Sequence, residues 1–235
     1  MKTFLKGLGI GLVALVVLAA GAFFFLGDRM QQAAFWEGTI EGFEAADTEA
    51  FPEPGAIVFT GSSSIRLWST LEQDMAPLRV LNRGFGGAHM DHVVHFADRI
   101  IRPYAPRALV VYAGDNDIGA GKSPERVEAD FRALVELVRE TQPDLPIYYL
   151  TIKASRLRWK LWPVMHEANQ RIAALSAADP AIHVIDVSGP MIEQGLGGEP
   201  PSSLFALDGL HLSDEGYALW TSVVRPRLLR DLGPG

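Results

Sequence analysis

Short apolar, β-branched runs recur along this 235-residue chain with helix-like stretches between them, and that alternation restricts the fold more than any other feature. Ala56 to Thr60 is one such run, bounded by Pro54-Gly55 and Gly61. Ala108 to Tyr112, Pro146 to Ile152 and Ile182 to Val187 are others, with a shorter apolar piece around Val80. Runs this short, without polar alternation, suit strands buried on both faces. The intervening stretches Glu125 to Glu140 and Met165 to Ala177 read as helices. The pattern predicts an α/β fold: a three-layer sandwich with a central, mostly parallel sheet and helices on both faces. A final helix is expected from Asp214, capped by Ser213, to about Arg225, where Pro226 breaks it.

A second constraint lies at the N-terminus, where no residue from Gly7 to Gly27 is charged. As a helix, Leu8 to Leu26 is long enough to cross a hydrocarbon core of about 30 Å. Lys2 and Lys6 precede it, so the rest of the chain is expected on the outer face of the membrane. A signal peptide cleaved near Ala20-Gly-Ala22 is the competing reading. Phe23-Phe-Phe-Leu26 continues the apolar run past that site and favours an uncleaved anchor. Three segments follow: an anchor or signal over 1–27, a lead-in over 28–54 with an amphipathic helix around Trp36, Ile40 and Phe43, and a catalytic domain over 55–235.

Composition narrows the partners. Without Lys2 and Lys6, 19 Lys and Arg stand against 28 Asp and Glu, a formal charge of −9, which gives no reason to expect nucleic acid or anionic lipid as a partner. The absence of cysteine excludes disulfides, a lipid-modified cysteine and thiol catalysis. About 180 residues suffice for one core.

The chemistry-bearing residues fall at the ends of the expected strands. Gly61-Ser-Ser-Ser64 follows the first strand, where open parallel sheets place their ligands. A serine hydroxyl is a poor nucleophile unless a base takes its proton. Asp208 and His211, three positions apart, can meet in a tight turn, the carboxylate fixing one ring nitrogen and freeing the other as base. Read alone, the serines are equally a polar cap for a helix beginning near Ile65. Asn82 to Gly87 and Gly114 to Asp117 complete the set, with glycine N–H groups and an asparagine amide as donors for an oxyanion.

In this order the four blocks resemble the SGNH hydrolase superfamily, the GDSL-type esterases and lipases: Gly61-Ser-Ser-Ser-Ile65, Asn82-Arg-Gly-Phe-Gly-Gly87, Gly114-Asp-Asn-Asp117 and Asp208-Gly-Leu-His211. The resemblance spans about residues 55 to 225 and implies a flavodoxin-like sandwich. It further implies Ser63 as nucleophile, His211 as base and Asp208 as its orienter. The oxyanion hole then comprises the N–H groups of Ser63 and Gly87 and the side chain of Asn116. Ser62 stands where the family has aspartate, so the triple serine leaves Ser64 as the alternative nucleophile, and Gly84 or Gly86 compete with Gly87. Ile65 occupies the second-glycine position of a Gly-x-Ser-x-Gly elbow and argues against an ordinary α/β-hydrolase.

The activity implied is that of a serine-dependent carboxylic-ester hydrolase outside the cytoplasm, acting on envelope glycans or small esters through an acyl-enzyme, with no cofactor. Alternatives are an O-acyltransferase with the same triad and an inactive, membrane-tethered binding module. Trp68, Phe85, Arg156 and Trp159 are candidate substrate contacts, the last two from the cationic, Trp-bearing stretch Lys153 to Trp162. His89, His92 and His95 recur every three residues and a helix could aim His92 and His95 at a metal, but those two lack an evident third ligand, so no metal is expected. Asp115 and Asp117 are expected to hydrogen-bond loop backbone beside Asn116. Nothing in the sequence fixes an oligomeric state.

Overall fold

The computed structural model of the protein describes residues 29–234. Its centre is a five-stranded sheet, β1 (Ile57–Gly61), β2 (Val80–Gly84), β3 (Ala108–Tyr112), β4 (Ile147–Leu150) and β5 (Ile182–Ile185), in the order β2-β1-β3-β4-β5. Every pairing is parallel, with Ile57 level with both Val80 and Ala108, and Ile147 level with Leu109 and Ile182. β1 and β3 are buried throughout, as their unbroken apolar runs require. Strand order reverses between β1 and β3, and a sheet of this kind opens its ligand crevice beyond the carboxyl ends of those two strands. Ser63 and Asn116 follow them.

Successive residues of a strand face opposite ways, and the two sides of the sheet bury separate cores. Val58, Leu109, Val111, Ile147 and Tyr149 face α1 (Glu37–Glu49), α4 (Met90–Ile100), α6 (Pro124–Arg139) and α7 (Trp162–Ala178). Ile57, Phe59, Val110, Tyr112 and Leu150 face α2 (Ser63–Arg66), α3 (Leu71–Met75), α8 (Ser188–Glu193) and α9 (Asp214–Leu232). The short α5 (Asp115–Gly119) follows β3 at the carboxyl edge. The predicted α/β sandwich is observed.

Of the boundaries that differ from the sequence reading, three have a plain physical reason. β4 stops at Leu150 because the Ile152 N–H turns to the side-chain carbonyl of Asn169, at 2.7 Å. β5 stops at Ile185 because the N–H groups of Val187 and Ser188 go to the Thr151 hydroxyl. The last helix runs through Pro226 to Leu232. Proline there removes one backbone donor, but Val224 and Leu228 are wholly buried on either side, and Arg227, paired with Asp231 within the far half, ties that half to the Val184 carbonyl. Packing holds what local propensity would break.

The lead-in is fastened to the sandwich. Trp36 and Ile40 are buried against the α4 side, and Arg99 of α4 pairs with Glu37 and Glu44 of α1. Buried Arg83 of β2 donates to Asp47 at 2.5 Å and to the Tyr104 hydroxyl at 2.7 Å. The predicted span Leu8 to Leu26 lies outside the described residues. Among the described residues no helix is long and apolar enough to cross a membrane.

Candidate active site

β1 delivers its serines through a turn that only glycine permits. Gly61 has φ +124°, and a Cβ there would lie 1.8 Å from the Tyr112 carbonyl oxygen, a backbone atom that cannot move aside. The Ser62 N–H then bonds that carbonyl at 2.9 Å and the chain enters α2 with Ser63 as its first residue, whose N–H has no acceptor within the helix. The three hydroxyls part company here. Ser62 donates to Asp115 at 3.4 Å, buried Ser64 accepts from Lys153 at 3.0 Å, and Ser63 lies 3.0 Å from His211 Nε2. Ser63, and not Ser64, is the serine brought to the imidazole.

The imidazole is presented by a self-contained turn. Asp208 accepts the N–H groups of Leu210 and His211 on one carboxylate oxygen, each at 2.9 Å, and meets His211 Nδ1 with the other at 2.6 Å. The Ala206 N–H closes the turn on the His211 carbonyl. Partial burial opposes the Asp208 charge, but hydrogen bonds from the Leu210 N–H and from His211 outweigh it and hold this carboxyl down to about 2. Asp208 therefore stays ionised wherever a histidine titrates, keeps the proton on Nδ1, and leaves Nε2 as the acceptor facing Ser63.

Across the cleft stand the other two of the three predicted oxyanion donors. Gly87 has φ +74°, which a side chain would strain. The Asn116 amide is fixed at both ends: its carbonyl accepts from Arg158 at 3.0 Å, and one amide hydrogen goes to the Ala88 carbonyl at 3.1 Å, leaving the second hydrogen for a ligand. The bond to Ala88 joins Asn116 to the loop that carries Gly87. Buried Asp117 reinforces that link by accepting from the Met90 N–H and from Lys122 at 2.9 Å. Burial outweighs these partners and pushes the Asp117 carboxyl up to about 6.

Beneath the serines lies a charge that no sequence pattern announces. Lys153 is 1% exposed, and its ammonium touches the Ser64 hydroxyl and the Tyr112 hydroxyl at 3.0 Å and Asp115 at 3.2 Å. Arg158 adds a second cation to Asp115 through the backbone carbonyl, at 2.9 Å, and the carboxylate, at 3.5 Å. Burial alone would neutralise Asp115, but Lys153 and Arg158 reverse it and hold the carboxyl below its ordinary value. One buried polar network thus supports both the serine turn and Asn116.

The four predicted substrate contacts lie elsewhere. Trp68 is sunk in the core against Tyr217 and Trp220, its indole N–H donating to Asp74 at 2.6 Å. Phe85 is fully buried between Trp36 and Phe96. Both side chains are large and apolar next to tight turns, and the cores beneath those turns claim them. Arg156 reaches away to the Pro200 carbonyl and Glu199, and Trp159 stacks on Trp162. The cleft beside Ser63, about 490 Å³, is walled instead by Met30, Trp36, Arg66, Arg158 and Leu210. Two of these, Met30 and Trp36, come from the lead-in, where the sequence signal is the amphipathic pattern around Trp36, Ile40 and Phe43. His89, Asp91 and His92 gather within 4.8 Å, yet His92 spends one nitrogen on the His89 N–H and the other on the Gln31 carbonyl.

This arrangement can be set beside known proteins. The model of the GDSL-like lipase/acylhydrolase family matches residues 53–219. The chain belongs to that family, within the SGNH hydrolases. A platelet-activating factor acetylhydrolase IB subunit alpha1 from Pongo abelii is 29% identical over 203 residues, 83% of either chain. Its counterpart from Homo sapiens is 28% identical over 204 residues, again 83% of each. Among solved structures, a protein from Streptococcus pneumonia named for platelet activating factor superposes with TM-score 0.74 at 20% identity, covering 90% of this chain and 98% of its own. A GDSL-like lipase from Bacteroides thetaiotaomicron gives TM-score 0.66 at 18% identity over 80% and 96%. At such identities these two share the fold. Family membership makes the protein a hydrolase of the lipase/acylhydrolase kind.

Proposed function

We propose that this GDSL-family protein is a serine carboxylic-ester hydrolase working through an acyl-enzyme, with Ser63, His211 and Asp208 as its triad. The observation that carries the reading is the unbroken chain from the Ser63 hydroxyl to His211 Nε2, at 3.0 Å, and from His211 Nδ1 to Asp208, at 2.6 Å, at the edge of a cleft. His211 takes the hydroxyl proton as Ser63 attacks the ester carbonyl. The charge that forms on the carbonyl oxygen is met by the N–H groups of Ser63 and Gly87 and by the free Asn116 amide hydrogen. His211 then protonates the departing alcohol and, in the second half-reaction, draws a proton from the water that releases the acid. The acetylhydrolase relatives support a short acyl group; envelope glycans or small esters are the carriers proposed for it.

The place of action proposed is the outer face of a membrane, through an uncleaved N-terminal anchor. The uncharged run ending at Gly27 and the lysines before it support this. Met30 lines the cleft only four residues after Leu26, a reach of at most about 14 Å, so an anchored chain would hold its cleft near the bilayer surface. The test is turnover of 4-nitrophenyl acetate by the full chain with and without Ser63→Ala. Acid release that vanishes in the variant supports the reading, and turnover that survives it removes Ser63 from the chemistry.

A further inference from the structure

Two hollows meet at His211, and their charges are opposite. The cleft that holds Ser63, Gly87 and Asn116 has Arg66 and Arg158 in its walls and no carboxylate among its described lining residues. The hollow on the other side of His211 is lined by Asp74, Asp208 and Asp214. The whole chain has a formal charge of −7, so a cleft with two arginines and no acid runs against the composition.

The two arginines are held differently. Arg158 is tied to Asp115 and Asn116, which fixes its guanidinium beside the oxyanion donors. Arg66 sits at the end of the short helix that Ser63 begins, and its guanidinium lies along the backbone of Gly86, where a Cβ would approach its Nε to 2.8 Å. Arg99, Arg102 and Arg139 each face a carboxylate, whereas no carboxylate among the described residues pairs with Arg66. A guanidinium without an acidic partner, at the edge of a cleft and beside a nucleophile, retains its fork of donors for an incoming anion.

We propose that the substrate is an ester bearing a negatively charged group, a phosphate or carboxylate, which Arg66 binds while Arg158 adds its field from the oxyanion side. The proposal rests on the esterase reading and deepens it. The anion belongs on the Arg66 side because the three aspartates repel it from the other hollow. Met30, Trp36 and Leu210 supply apolar wall for the carbon skeleton between anion and ester. Phosphate and carboxylate share this recognition, and the anion's place on the acyl or the alcohol side is what the assay separates.

Full-length protein is assayed on two matched pairs: mono-4-nitrophenyl adipate against 4-nitrophenyl hexanoate, and 4-acetoxyphenyl phosphate against phenyl acetate. The readout is the anionic-to-neutral ratio of kcat/KM in wild type divided by that ratio in Arg66→Gln, which cancels the esters' intrinsic reactivities. The expected result is a quotient of about ten or more in at least one pair, shrinking as salt is raised, with the wild-type preference for the anionic ester largely kept in Arg66→Lys. The carboxylate pair responding alone places the anion on the acyl side, and the phosphate pair alone places it on the alcohol side. An unchanged ratio in both pairs, with neutral esters still hydrolysed through Ser63, overturns the anion site and leaves the esterase reading standing. Failure of all four esters while 4-nitrophenyl acetate is still turned over overturns the anion site alone, and failure of that ester as well overturns both.

Discussion

The two halves of the site are built by opposite means. The Ser63 half is sunk at the edge of the sheet and braced from beneath by Lys153, Asp115 and Tyr112, with Tyr217 of α9 donating to the Ser64 carbonyl from above. The His211 half is a surface turn in which Asp208 is exposed and holds the ring through bonds within four residues of itself. The buried half depends on partners up to 153 positions away, whereas the exposed half is held chiefly by its own turn, with one bond from outside it, the Leu157 N–H to the Gly209 carbonyl at 3.0 Å. Damage to the first should therefore appear as lost stability, and damage to the second as lost turnover in a protein that still folds.

Asp208→Asn breaks this comparison hardest. Loss of the carboxylate frees the ring to take the wrong tautomer, and kcat is expected to fall about 10⁴-fold. The midpoint of urea unfolding should barely move, because a solvent-exposed contact of this kind contributes little to stability. A comparable loss of stability would show that the turn is not self-contained.

Lys153→Met tests the other half. It strands Asp115 in the interior with Arg158 as its remaining cation, and a broken buried pair typically costs about 3–5 kcal/mol. The retained Arg158 places the expected loss near 3 kcal/mol, read from chemical denaturation. Adding Asp115→Asn removes the stranded charge and should recover part of it. A single variant as stable as wild type would mean that the network is not what holds the serine turn.

Asn116→Ala sits between the two halves. It removes one oxyanion donor, worth about 3–4 kcal/mol of transition-state stabilisation, and should lower kcat by 10²- to 10³-fold with KM little changed. A near-wild-type kcat would take Asn116 out of the oxyanion hole.

The smallest effect concerns pH, and it too separates the halves. Burial, aided by Lys122 and His92, lowers His89, at the start of α4 beside the Gly87 loop, to about 4. The unfolded chain therefore binds a proton on His89 that the folded one refuses. Its contribution to stability is complete above about pH 6.5 and is lost as pH falls toward 4, with a ceiling of about 3 kcal/mol. Asp117, raised to about 6, acts in reverse: the folded state binds the extra proton, and that stability is lost as pH rises from about 4 to 6. The two oppose each other in the same window, so His89→Gln should flatten or invert the acid-side fall in melting temperature. An unchanged slope would mean that His89 does not titrate as its burial dictates.

How legible each half was in the sequence follows the same division. The Asp208–His211 turn could be read from spacing alone, because its bonds are local. The strands could be read because burial on both faces demands unbroken apolar runs, and β3 begins and ends where the sequence placed it. Ser63 could be read only with Ser64 beside it, since the choice depends on which hydroxyl meets an imidazole 148 positions later and which meets Lys153. Lys153 reads as one more loop cation among Arg156, Arg158 and Lys160, and only the packing of β4 against β3 carries it under the serines. Trp68 and Phe85 illustrate the same limit for apolar side chains: a residue next to a catalytic turn can face the cleft or the core, and local sequence is identical for both. Pro226 misled because proline's cost is local whereas Val224 and Leu228 are held by contacts from the sheet.

The central claim is that Ser63 is the hydroxyl His211 activates. Treating the full-length protein with a fluorophosphonate and mapping the adduct by peptide mass spectrometry tests it directly. The account predicts one adduct, on Ser63, that forms far more slowly in His211→Ala. An adduct on Ser64, or ester turnover that continues with Ser63 unlabelled, would contradict it.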